Sequence, residues 1–420
     1  MISSERLSEQ LCHLRTISDP AAAGSGINRI AFSDADWEAR RYITGLMNDA
    51  GLGVTIDAFG NVRGHLPGRR EDLPAIMFGS HADSVPDGGN YDGIVGILSA
   101  IEVVKSMQED HFQNDHPLDV VLFMCEESSR FSAATLGSRA MRGELSTAEL
   151  KRRRDAQGKS LYDVLKARGL NPEAIASAKY DRPLKAFFEV HIEQGKVLEH
   201  TKTQLGIVTG IAAPTRLRVH LHGKADHSGA TPMGMRFDSS CAAAEIILQV
   251  EKSASAYQAA PVVGTVGIVR VTPCAMNVIP GETELGIDIR SISAEAKDAV
   301  ANEICRHIEE ICQQRSLTFD IEEISKEKPA VMAPAMLDFL SAICQRQNRS
   351  WRFMPSGAGH DAMHWTDYTA TGMLFIPCKD GISHNAAEFA EIKDIVAVAE
   401  VLEEAVRTAA QASFHFDGSR

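Results

Sequence analysis

The first two hundred residues alternate between stretches of helical hydrophobic spacing and short apolar runs that close on glycine or polar residues. That rhythm belongs to an α/β domain, in which helices cover a sheet. Leu73-Pro-Ala-Ile-Met-Phe-Gly79, Leu118-Asp-Val-Val-Leu-Phe-Met124 and Leu184-Lys-Ala-Phe-Phe-Glu-Val190 read as buried strands. Ser33 with Asp36 reads as the N-terminal cap of a helix running toward Gly51. From about Ala212 the pattern changes to an alternating strand (215–222), a helix (236–258), two strands (262–271 and 283–290), a helix (293–315) and a strand (317–325). This order predicts an α+β unit, a four-stranded sheet with two helices on one face. After Pro329 apolar strand and helix patterns return, including Thr371-Gly-Met-Leu-Phe-Ile-Pro377 and a C-terminal helix from Ile392. The expected organisation is an α/β catalytic domain with a mixed sheet flanked by helices, over 1–211 and 330–420, interrupted by an inserted α+β domain over 212–329.

At 420 residues the chain exceeds one ordinary core, in keeping with two domains. Hydrophobic residues at 44% and charged residues at 24% describe a globular chain. The formal charge is 43 minus 56, or -13. The densest basic run, Lys151 to Arg154, is followed at once by Asp155 and reads as a solvated face, so no nucleic-acid partner is expected. Eight cysteines without a C-x-x-C pair are expected to be buried thiols and not a disulfide framework or a structural zinc site. The polar segment Met1 to Arg15 lacks an apolar signal core and no apolar run approaches 18 residues, so no membrane association and a cytoplasmic location are expected.

Four groups of candidate metal ligands fall at or just beyond the carboxyl ends of expected strands, where open α/β sheets place their sites. They are Gly79-Ser-His-Ala-Asp-Ser84, Cys125-Glu-Glu-Ser128, His191-Ile-Glu-Gln-Gly195 and Cys378-Lys-Asp-Gly-Ile-Ser-His384. Any one alone would be a core histidine or a solvated turn; their recurrence at four strand ends points to metal chemistry. Asp92, eleven residues after His81 across a glycine-bearing loop, is placed to bridge two ions. His81, His191, His384 and one of Glu126 and Glu127 would supply terminal nitrogen and oxygen ligands, a mixed set suited to zinc, manganese or cobalt. The other glutamate would accept a proton from water and deliver it to a leaving nitrogen, and Asp83 would orient the His81 imidazole. No G-x-S-x-G, H-E-x-x-H, complete G-x-G-x-x-G or Walker A motif competes with this reading.

At these residues the sequence resembles the hydantoinase/carbamoylase amidases, a branch of the co-catalytic-metal M20 metallopeptidase group that includes N-carbamoyl-L-amino acid hydrolases, allantoate amidohydrolases and yeast-type β-ureidopropionase. The likeness covers nearly the whole chain and is carried by Gly79-Ser-His-Ala-Asp-Ser84, Gly89-Asn-Tyr-Asp-Gly93, Glu126-Glu127 with Arg130-Phe131, Glu189-Val-His-Ile-Glu-Gln-Gly195, Asp226-His-Ser-Gly-Ala-Thr-Pro232, Met276-Asn-Val-Ile-Pro280 and Gly357-Ala-Gly-His-Asp361. It implies His81, Asp92, Glu127, His191 and His384 as ligands of two divalent ions per subunit, zinc foremost with manganese, cobalt or nickel as alternatives. It also implies Asp92 as the bridge, Glu126 as general base, and Gln194, His227, Asn277, Arg290 and His360 as substrate contacts. The inserted domain would be a lid that builds a homodimer. The expected reaction is hydrolysis of a small N-carbamoyl or ureido compound bearing a carboxylate. Allantoate or ureidoglycolate hydrolysis, an aminoacylase or dipeptidase activity, and a non-catalytic ligand-binding protein are the alternatives.

Overall fold

A computed structural model describes residues 1–416. The chain divides into two compact units, Met1–Thr209 with Met332–Arg420, and Gly210–Val331. Its strands are, in order, β1 (Gly53–Ile56), β2 (Val62–Leu66), β3 (Ala75–His81), β4 (Leu118–Phe123), β5 (Leu184–Ile192), β6 (Leu205–Ile211), β7 (Ala213–His222), β8 (Asp226–His227), β9 (Val263–Thr272), β10 (Val278–Ile279), β11 (Glu282–Ser291), β12 (Thr318–Lys326), β13 (Ala330–Val331), β14 (Trp351–Ser356) and β15 (Ala370–Ile376).

The first unit is built on the order β1-β2-β4-β3-β5-β15-β6, with β14 also paired to β6. β4, β3, β5 and β15 run parallel, while β2 and β6 are antiparallel to their neighbours, so the sheet is mixed. Parallel strands need covered faces, and the strand residues read as continuous apolar runs for that reason. One layer joins Ile76, Phe78, Val120, Phe188 and Leu374 to the helices Ile94–Glu109 and Ile392–Ala409, the first of which is buried almost all round. A second cluster gathers Phe32, Phe59, Met124, Phe131, Leu150 and Leu161. Ser33 caps the helix Asp34–Asp49 by accepting from the Asp36 N–H at 3.1 Å, and the Asp36 carboxylate returns the contact to the Phe32 N–H at 2.7 Å.

β3 and β5 extend past the glycine and valine where the sequence pattern closed them. His81 is the last residue of β3 and His191 lies inside β5. The β3–β4 ladder continues to His81↔Phe123, which overrides the turn signal of Gly79. A Cβ at Gly79 would sit 1.9 Å from the Val121 carbonyl oxygen, so that glycine serves close strand approach and not a turn.

In the second unit β12, β7, β11 and β9 form an antiparallel sheet in that order. Leu217, Val219, Leu221, Leu285, Ile287 and Ile289 pack with Ile246 and Val250 of helix Ser239–Ala256 and with Val300, Ile304 and Ile308 of helix Ala294–Arg315. The alternate residues carry ion pairs: Arg216–Asp288 at 3.0 Å, Arg218–Glu322 at 3.1 Å and Arg270–Glu284 at 2.7 Å. The pair β8–β10 is too short to leave an alternating signature, and nothing in the sequence pattern announced it. Cys125, Cys312, Cys344 and Cys378 are buried, but Cys12, Cys241 and Cys274 are exposed, which corrects the expectation for those three. Among the described residues no helix is long and apolar enough to cross a membrane.

Candidate metal centre

The pairing of β3 with β5 ends at Phe78↔Phe188, whereas β3 stays with β4 to His81↔Phe123 and β5 stays with β15 to Ile376↔Ile192. The two central strands therefore part at their carboxyl ends and open a crevice of the kind in which doubly wound sheets bind ligands. His81 and His191 stand on its two sides, with ring centroids 5.8 Å apart. The loop from β3 brings Asp92 between them, immediately before the helix that begins at Ile94. Gly93 makes the turn with φ of 65°, and a Cβ there would lie 2.6 Å from the His81 ring. Only glycine fits.

Asp92 has one oxygen for each of two groups. Its Oδ1 lies 3.2 Å from His81 Nε2 and 3.2 Å from His191 Nε2, while its Oδ2 lies 3.4 Å from His384 Nε2. His384 Nε2 is in turn 3.3 Å from Glu127 Oε1. Candidate ligand atoms within each of the sets His81–Asp92–His191 and Asp92–Glu127–His384 all lie within 4.8 Å of one another. The tautomers agree with that use. His81 Nδ1 faces the Asp83 carbonyl at 3.1 Å and His191 Nδ1 the Ile192 carbonyl at 2.9 Å, so each Nδ1–H donates there and each Nε2 is turned to the Asp92 side, where His191 Nε2 also accepts from the Gly93 N–H at 3.1 Å.

Asp83 thus holds His81 through its backbone carbonyl; its carboxylate stands 3.7 Å from His81 Nδ1 and instead accepts from the N–H groups of Glu126 at 3.2 Å and Glu127 at 3.0 Å. Those contacts aim the glutamate pair as it leaves β4. Glu126 Oε2 reaches within 3.9 Å of His81 Nε2, and Glu127 turns to His384. Gln194, with φ of 57°, donates to Asp92 Oδ2 at 2.6 Å. His360 packs against His191 at 4.6 Å between centroids and shares a 2.9 Å hydrogen bond with Ser356. Eight of the sequence-derived residues in this unit therefore meet around Asp92. Glu388, absent from the sequence reading, and Ser383, given no role there beside His384, join them: Glu388 accepts from the Tyr91 and Asp92 N–H groups, and Ser383 lies 3.1 Å from Asp92 Oδ2.

Burial sets the electrostatics. It raises Glu126 well above the ordinary carboxylate range, against the pull of His81 and with the help of Glu127. Burial, then the charge of Asp92, lifts Glu127 to about 7. Asp92 is buried as well, yet His191, His384 and His81 hold it well below the usual range. A hydrogen bond to Asp92 carries His384 up to about 9. Burial, then the charge of His191, keeps His360 well below the usual histidine value and so neutral. Four carboxylates, Asp83, Asp92, Glu126 and Glu127, are at most 8% exposed and converge on three imidazoles. Such crowding of anionic oxygen calls for cations, and the nitrogen and oxygen donors present fit divalent ions.

His227, Asn277 and Arg290 belong to the second unit. His227 pairs with Val278 across β8–β10, and the Asn277 carbonyl accepts from the Ser228 N–H at 3.1 Å, so His227 and Asn277 share one corner. His227 Nδ1 accepts from the N–H groups of Gly229 at 3.0 Å and Ala230 at 3.2 Å, which leaves the neutral ring with Nε2–H as an outward donor. Arg290 holds Asp288 Oδ1 at 2.7 Å. It lies eight residues along β11 from Glu282, the end that adjoins the β8–β10 corner. At about 3.4 Å per residue the separation is about 27 Å.

Residues 77–408 match the peptidase family M20/M25/M40. An N-carbamoyl-L-amino-acid amidohydrolase from Pseudomonas sp. (strain NS671) is 38% identical over 411 residues, covering 96% of this chain and 98% of its own. A ureidoglycolate hydrolase from Oryza sativa subsp. japonica is 35% identical, covering 96% and 84% respectively. The crystal structure of an amidase of the hydantoinase/carbamoylase family from Burkholderia multivorans superposes with a TM-score of 0.90 at 32% identity, covering 97% of this chain and 98% of that one. The expectation drawn from these motifs is met over nearly the whole length: the chain belongs to peptidase family M20/M25/M40, in its hydantoinase/carbamoylase branch, and is an amidohydrolase acting on ureido or carbamoyl amides.

Proposed function

We propose that the protein hydrolyses an N-carbamoyl amino acid or a closely related ureido acid, using two divalent ions held by His81, Asp92, Glu127, His191 and His384. The observation that carries this reading is the division of Asp92, one oxygen facing His81 and His191 and the other facing His384, with Glu127 beyond it. Ions bound there supply Lewis acidity toward the substrate carbonyl and acidify water. The chain's own groups do the rest. Glu126, raised by burial, accepts a proton from the attacking water and returns it to the leaving nitrogen. Gln194 and His360 line the crevice, and His227 presents Nε2–H to an oxyanion. Arg290, with a planar fork suited to two parallel hydrogen bonds, receives the substrate carboxylate, exchanging part of its hold on Asp288.

A small ureido acid cannot reach both Arg290 and the His227–Asn277 corner of one chain across about 27 Å. The reading is therefore completed by a homodimer in which one protomer's second unit lends its corner to the neighbour's site. The edge strand β9, with Val263 60% and Val269 49% exposed, offers a pairing surface. Ammonia release from N-carbamoyl-L-amino acids, N-carbamoyl-β-alanine, allantoate and ureidoglycolate, with zinc, manganese, cobalt or nickel supplied, tests the proposal. Turnover is expected on at least one carbamoyl amino acid; turnover confined to N-acetyl or dipeptide substrates would overturn it.

A further inference from the structure

Glu388 is 5% exposed and all of its visible partners lead to Asp92. Its Oε1 accepts from the Tyr91 N–H at 2.8 Å and the Asp92 N–H at 3.1 Å. Its Oε2 lies 2.9 Å from Ser383 Oγ, and the same hydroxyl stands 3.1 Å from Asp92 Oδ2. The contact is tight enough to dictate a neighbour, since a Cβ at Gly89 would fall 2.1 Å from Glu388 Oε1. One carboxylate thus joins the loop that delivers Asp92 to the segment that delivers His384, next to Ser383.

The geometry points to Glu388 as a positioning residue that keeps Asp92 divided between its two groups, and that acts on the Asp92–Glu127–His384 group in particular. The asymmetry is in the contacts. Asp92 Oδ1, facing His81 and His191, receives nothing from this chain of contacts, whereas Oδ2 and the His384 segment both hang on Ser383 and Glu388. Without Glu388 the Asp92 backbone and Ser383 lose their common anchor, Oδ2 is left to the Gln194 amide at 2.6 Å and to an untethered Ser383, and Oδ1 keeps its strand-borne partners. The inference rests on the two-ion reading above.

The test uses the full chain stripped of metal and titrated with cobalt(II), followed by visible absorption and by elemental analysis. Two equivalents are expected in the wild type. In Glu388→Gln, whose amide cannot accept from Ser383 and from both N–H groups alike, the first equivalent is expected to bind as before. The second is expected to weaken about 10- to 100-fold, the usual effect of removing a ligand's supporting hydrogen bond. kcat should fall with it and recover at high cobalt, with KM unchanged. Ser383→Ala, which cuts the link to Oδ2 and leaves the Tyr91–Asp92 loop anchored, should weaken the second equivalent selectively and to a smaller degree, and it keeps the test valid if Glu388→Gln fails to fold. Two cobalt ions bound with wild-type affinity in both variants, or both equivalents weakened together, would overturn the assignment of Glu388. A wild type that binds fewer than two ions would refute the two-ion reading itself, and the inference with it.

Discussion

Glu126 and Glu127 are neighbours in sequence with different surroundings, and their difference rests on a few ångströms. Asp83 grips both backbone N–H groups, which sends one side chain toward His81 and the other toward His384. Glu126→Gln keeps the shape and removes the proton acceptor, so kcat should drop about 10²- to 10⁴-fold with metal content unchanged. A variant retaining most of the wild-type rate would end the assignment of Glu126 as base. Because burial raises Glu126, and a base works only when deprotonated, the acid limb of kcat/KM should lie above the ordinary carboxylate range and shift or vanish in this variant. His227 is held as the Nε2–H tautomer by two backbone N–H groups, and His227→Ala should cost about 10²- to 10³-fold in kcat, measured on the best substrate of the panel. These pairings escape a sequence reading, since Glu-Glu and Asp-His announce only the residue types available. The local spacing of His81 and Asp83 suggested a carboxylate–imidazole contact, whereas the extended backbone puts the Asp83 carbonyl nearer to the ring.

Strands and their ends decide where those residues stand. Gly93→Ala places a Cβ 2.6 Å from the His81 ring at φ of 65°, and is expected to lower stability by about 1–3 kcal/mol while weakening metal retention, read by urea unfolding and metal analysis. Away from the centre, β2 and β4 are tied by His65 Nδ1 to Asp119 Oδ1 at 2.7 Å, with Tyr180 donating to Asp119 Oδ2 at 2.5 Å. The hydrogen bond to Asp119, opposed by burial, raises the His65 pKa above its model-compound value of 6.5. A raised histidine stabilises the fold fully below the unfolded value and loses that contribution as pH climbs through the folded one. The melting temperature of the metal-loaded wild type should therefore decline above pH about 6.5 more steeply than that of His65→Asn. Identical slopes would remove His65 from the account. The long, buried strands were legible from their apolar runs, but the last two residues of β3 and β5 were not, because there the ladder to the next strand outlasts the run that marks it.

At the scale of the molecule, charges gathered from distant segments make the centre a source of stability as well as chemistry. Ions that bind only the folded chain stabilise it by about 2.7 kcal/mol at a free concentration of 100 times Kd. Chelation should therefore lower the melting temperature by several degrees, and readdition of zinc, manganese or cobalt should restore it together with activity. An unchanged melting curve after verified metal removal would contradict the two-ion reading. The second unit's own architecture sets a further demand, since its Arg290 and its His227–Asn277 corner lie at opposite ends of β11.

Taken by itself, the sequence determined the α/β rhythm, the change of pattern near residue 212, the residue types at four strand ends and the branch of the family, because periodicity, turn residues and ligand motifs are local properties of a chain. Tertiary structure alone decided that β3 and β5 part to make the crevice, that Asp92 is divided between two groups, that Asp83 serves the glutamates with its carboxylate, and that Glu388 stands behind Asp92 from nearly three hundred residues away. Such contacts depend on register and on the meeting of distant segments, and no local pattern encodes the distance between them.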